Sequence, residues 1–128
     1  MVKKYVVFLF LLFFNLSFAQ SNPECGILKN CRLKYLDTDD TTSYIEIRNT
    51  NHIEYHRNGS YYIKSELNWI NDCEYDMKMI EITLPDFPFK PNDIMNVKII
   101  RIEGKIAYAI STVKGQSFEG RFEILESL

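Results

Sequence analysis

The chain has 128 residues, 15 Lys and Arg against 17 Asp and Glu, a net charge of −2, and three cysteines. That length is one domain. A mildly acidic chain with no basic run longer than a pair after Lys4 excludes binding to nucleic acid, whose affinity comes mostly from neutralised phosphates.

Met1-Val2-Lys3-Lys4 is a short basic start, residues 6–14 are an unbroken apolar run, and Ser17 and Ala19 fit the −3 and −1 places of a cleavage site. Residues 1–19 are read as a signal peptide, and residues 20–128 as a single all-β domain. The apolar run is roughly half of the ~20 residues that a spanning helix needs, so no stable membrane span is expected after cleavage. The expected destination is the periplasm or the outside of the cell. There, disulfides persist. Cys25, Cys31 and Cys73 allow at most one internal bridge, as 25–73, 31–73 or 25–31. The thiol left over is expected to be buried and inert. Cys25 and Cys31 do not make a CxxC motif, and no paired cysteine–histidine spacing points to zinc.

Residues 28–36 carry Leu33 and Tyr35 on alternate positions, consistent with a first strand. Asp37-Thr38-Asp39-Asp40-Thr41-Thr42 is a turn-rich loop without the central glycine and terminal glutamate of an EF-hand. Residues 43–48 alternate, with Ile45 and Ile47 on one face. Asn49-Thr50-Asn51 turns the chain. Residues 52–57 alternate again, with Ile53 and Tyr55 opposite His52, Glu54 and His56. Asn58-Gly59 is a strong hairpin signal, because a type I′ turn needs positive φ at both central residues.

Tyr61, Ile63, Ser65, Leu67 and Trp69 then share one face of the next strand. The stretch Trp69-Ile70-Asn71-Asp72-Cys73-Glu74-Tyr75 reads as a strand end, a tight turn and a new strand, with Trp69 and Tyr75 toward one core. After Met77 and Met79 the apolar phase slips to Ile80, Ile82 and Leu84, the mark of a β-bulge. Pro85, Pro88 and Pro91 forbid a paired strand and place Phe87 and Phe89 to lid one end of the core. Residues 94–103 and 105–113 are strands, and in the second Ile106, Tyr108 and Ile110 alternate with Ala107, Ala109 and Ser111. Phe118, Gly120, Phe122 and Ile124 mark the last strand.

The count is about eight short strands in sequence order. Closing such a meander removes its edges, so the expected fold is an antiparallel sheet curled into a small calycin-like barrel or half-open clam. The alternative is a two-sheet sandwich. An interior of about eight strands is either just filled by side chains or holds one small ligand. The many aromatics favour the filled interior.

His52-Ile53-Glu54-Tyr55-His56 is the one stretch that resembles a site. On a strand the two histidines sit about 13 Å apart at ~3.4 Å per residue, too far for one metal. The expected reading is a solvated strand face. There is no G-x-S-x-G elbow and no phosphate loop. Cys31 with a histidine is the only nominal dyad, and no carboxylate pair stands out for glycoside hydrolysis. No catalytic, cofactor-binding or metal-ligating residue is therefore expected.

The segment Trp69-x-x-x-Cys73-Glu74-Tyr75 resembles a group of small exported bacterial β-proteins with a W-x-x-x-C-E-Y motif, whose function is not established. Their N-terminal C-x-x-F-K-x-G-x-F stretch is matched by Cys25-Gly26-Ile27-Leu28-Lys29-Asn30-Cys31-Arg32-Leu33, with leucines for the aromatics and Cys31 for the glycine. Their I-E pair is matched by Ile53-Glu54. The resemblance implies a Cys25–Cys73 bridge with Cys31 as the extra thiol. Many members carry the label "DNA topoisomerase IV", but that activity needs an ATP site and a large basic platform that one small acidic domain lacks. The functional expectation is an exported, non-enzymatic binding or envelope-associated domain with an envelope protein as partner. The alternative is a lipocalin-like carrier of a small apolar ligand.

Overall fold

The structure is a computed structural model and describes residues 24–128. The signal peptide expected over residues 1–19 lies outside the described residues. Eight strands follow in order: β1 (Asn30–Tyr35), β2 (Tyr44–Arg48), β3 (Asn51–His56), β4 (Tyr61–Asn71), β5 (Glu74–Ile82), β6 (Ile94–Glu103), β7 (Ile106–Val113) and β8 (Gln116–Ser127). Each pairs antiparallel with the next, and β8 returns to β1, closing a calycin-like barrel. Closure leaves no sheet edge unpaired, which rules out both the open clam and the two-sheet sandwich.

The turns follow the local chemistry. Asn49 and Thr50 join β2 to β3 with Arg48 opposite Asn51, and Asn49 takes φ 57°. The β3–β4 loop holds Arg57, Asn58 and Gly59 at positive φ, of which only Gly59 does so without steric cost. The expected phase slip in β5 is present. Ser65 pairs with Met79 and Lys64 with Glu81, so Ile80 is the extra residue and points outward, 45 % exposed. The register shifts in β6 as well, around Ile100, where the apolar pattern gives no sign of it.

The two ends of the barrel differ. At one end the first strand starts later than expected, because Gly26–Lys29 form a 3-10 turn. Leu28, 1 % exposed, joins the core cluster that includes Cys31, Ile47 and Leu67. Cys25 is bonded to Cys73, the pairing that the family resemblance implies. Asn49 N–H donates to Lys29 O at 2.7 Å, and Lys29 Nζ lies 2.8 Å from Asp72. Trp69 and Tyr75 face each other across the β4–β5 corner, edge to face at 4.9 Å, and Trp69 Nε1 donates to Asn49 O at 2.8 Å. Glu74 sits opposite Asn71 and accepts from Asn96 Nδ2 at 3.1 Å. Trp69, Cys73, Glu74 and Tyr75 thus lie together at the β4–β5 corner. Among the described residues no helix is long and apolar enough to cross a membrane.

Candidate functional site

The opposite end, where the β1–β2, β3–β4, β5–β6 and β7–β8 loops gather, leads into a cavity of about 400 Å³. Its floor and walls are Ile45, Ile63, Met77, Met79 and Val97, all buried. Phe87 and Phe89, edge to face at 5.6 Å, pack over the core from the β5–β6 loop. That proline-rich loop is held to β5 by Met79 N–H to Asp93 O and by Asn92 N–H to Met79 O. The filled interior expected from the aromatic content is therefore corrected. Tyr35, Tyr75, Phe87, Phe89 and Phe122 do pack in or against the core, but they line the cavity without filling it. Tyr44 and Tyr55 stack on the outer surface at 4.8 Å, and Phe118, which lines the cavity opposite Ser111, is 47 % exposed. β7 turns Ala107, Ala109 and Ser111 inward, so this wall adds little side-chain volume.

β3 also departs from the expected solvated face. His52 and Glu54 are buried and face the cavity, not solvent. Register is the cause. His52 lies opposite Ile47 and Ser65, and Glu54 lies opposite Ile45 and Ile63. Residues directly opposite in a ladder share a face, and Ile45, Ile47 and Ile63 are in the core. The two-residue turn at Asn49-Thr50 sets that register and forces Ile53 and Tyr55 outward.

A buried carboxylate needs partners, and Glu54 has them. Tyr35 Oη–H donates to Oε1, and His56 Nε2 lies 2.6 Å from Oε2. Burial alone would raise the Glu54 carboxyl. The hydrogen bonds from His56 and Tyr35 outweigh it and hold the group below its ordinary value. His56 is raised in turn by its bond to Glu54, and Tyr35 is pushed far up by burial and by the Glu54 charge. His56 Nδ1 lies 3.0 Å from Ser43 Oγ, which lies 2.5 Å from Asp40 Oδ2. Tyr35, Ser43 and Asp40 had no signal of their own in the sequence, because their partners come from other strands. Counting residues across the short Asn49-Thr50 turn would have placed His52 and Glu54 inside.

Ser43, His56 and Glu54 are the residue types of a hydrolytic triad in hydroxyl–imidazole–carboxylate order. Each has a further partner, Asp40 for Ser43 and Tyr35 for Glu54 among them. The Ser43 hydroxyl donates to Asp40, the stronger acceptor. The bond to Glu54 raises His56, so its imidazolium, which donates through both ring nitrogens, persists to higher pH than that of an ordinary histidine. Cys31 is no better placed. Its thiol is buried, donates to Leu28 O at 3.5 Å, and is pushed up by burial to about 11. Among the described residues no group of three or more His, Cys, Asp or Glu is arranged to hold a metal ion.

The cavity is thus apolar over most of its wall, with polar side chains from β1, the β1–β2 loop, β3, β4, β7 and β8. No family model, curated protein or solved structure matches the chain.

Proposed function

We propose that this protein is a carrier of a small, mainly apolar molecule held inside the barrel, and that it works outside the cytoplasm. The observation that supports it is the cavity of about 400 Å³ with its apolar wall, which lies in the range of small-ligand sites. An apolar cavity of about 150 Å³ takes benzene, so this one suits roughly 15 non-hydrogen atoms. Export is supported by the Cys25–Cys73 bridge, which belongs to an oxidising compartment.

The test is titration with N-phenyl-1-naphthylamine, a neutral apolar fluorophore. One saturable site is expected, weakened at least tenfold by Ser111→Leu, which fills the small-residue wall while keeping the strand. Fluorescence that rises without saturation, or that ignores Ser111→Leu, refutes the carrier. A second reading, docking to an envelope protein, rests on the outward Ile80 and Ile94 of neighbouring strands, both exposed. It predicts a crosslinked heteromer in the native envelope that Ile80→Lys abolishes.

A further inference from the structure

The Tyr35–Glu54–His56–Ser43–Asp40 chain is internally satisfied, but two other polar side chains of the cavity are not. His52 Nδ1 and Ser65 Oγ have no hydrogen-bond partner among the described residues. Their residues are 4 % and 1 % exposed, and both line the cavity. They are direct cross-strand partners in β3 and β4, so they share one spot on the wall. The Tyr75 ring lies 6.5 Å from His52 on the same side of the barrel. Buried polar atoms in native proteins are nearly always paired, and each exception calls for a partner.

We propose that His52 and Ser65 form the head-group subsite of the cavity, and that the ligand is a neutral amphiphile whose hydroxyl or carbonyl oxygen they bind. The proposal rests on the carrier reading and narrows its ligand. A hydroxyl on the ligand donates and accepts, which suits a rotating serine hydroxyl and either tautomer of a neutral imidazole. Burial lowers the His52 pKa, so this histidine supplies no positive charge for an anion. The lining carries the carboxylates of Asp37, Asp40, Glu54 and Glu119 against Arg121 and His56, an excess of negative charge that repels an anionic head. A cationic head would meet no free carboxylate at the subsite. Glu54 is engaged by Tyr35 and His56, and a buried ion without its own counter-ion is unstable.

The test is displacement of N-phenyl-1-naphthylamine by matched ten-carbon chains at neutral pH. The expected result is that 1-decanol displaces the probe at concentrations at least tenfold below those needed for decanoate or decylammonium. Ser65→Ala, which removes one oxygen, should weaken 1-decanol three- to tenfold and leave decane and the probe unchanged. His52→Phe should act the same way, and Ser65→Ala keeps the test informative if the larger change disturbs the barrel. Decanoate or decylammonium displacing as well as 1-decanol overturns the neutral class. Ser65→Ala weakening decane as much as 1-decanol overturns the subsite. Failure of the probe to bind at all refutes the carrier reading itself and the subsite with it.

Discussion

Replacing Cys25 and Cys73 together by alanine removes a cross-link between residues 48 apart in sequence. In the chain-entropy account, releasing a closed loop of that length costs about 4 kcal/mol of stability at 25 °C. The contacts that remain at the closed end do not replace it. The Lys29–Asp72 pair is exposed, and such pairs contribute ~0–1 kcal/mol. The Asn49 N–H to Lys29 O bond holds the 3-10 turn only once the barrel has formed. With a urea m-value of roughly 2 kcal/mol/M, the unfolding midpoint should fall by about 2 M. Far-UV circular dichroism reads the whole barrel, and the fluorescence of Trp69, the single tryptophan, reads the corner beside the bridge. Coincident transitions and the full drop are expected. A drop under about 0.5 M would refute the reasoning, since the unfolded chain would then gain no freedom from losing the link.

The Glu54–His56 pair predicts a pH window. The Glu54 carboxyl is held below its ordinary 4.5, so its contribution is present above that value and lost as pH falls through the lower folded one. His56 is raised above 6.5, so its contribution is complete below that value and lost as pH rises through the folded one. Thermal melts of a Glu54→Gln/His56→Gln variant should fall furthest below the parent between these values and approach it on either side. A gap constant with pH would mean that the pair's charges do not matter. Cys31 should resist iodoacetamide at pH 8 in the native protein and react after unfolding, as read by mass spectrometry. Rapid native labelling would contradict its burial. Gly59→Val puts a β-branched residue at φ +86° and should cost about 1 kcal/mol or more by urea titration, with probe binding unchanged.

Much of the fold is legible in local pattern. Period-two alternation, the Asn58-Gly59 loop, the proline-rich break at 85–91 and the phase slip after Met79 mark strands, turns and a bulge, because each depends on residues near one another in the chain. Nothing local marks the bulge at Ile100, because apolar residues stand on both sides of it. Cysteine counting left three pairings open. The one that formed is decided where the 3-10 turn brings Cys25 against the β4–β5 corner.

The sequence by itself determined two faces for every strand, but alternation is symmetric and does not say which face is inside. In β3 the apolar pair Ile53 and Tyr55 looked like the inner face, and the ladder reversed that choice. Ile45, Ile47 and Ile63 on the flanking strands had already committed their side to the core, and a two-residue turn left no freedom to slip. The same closure turned the small side of β7 inward and sent Tyr44 and Tyr55 out. A cavity, a buried Glu54 paired with His56, and His52 beside Ser65 are therefore products of register and barrel closure. Both join residues distant in the chain, and only the tertiary structure decides such pairings.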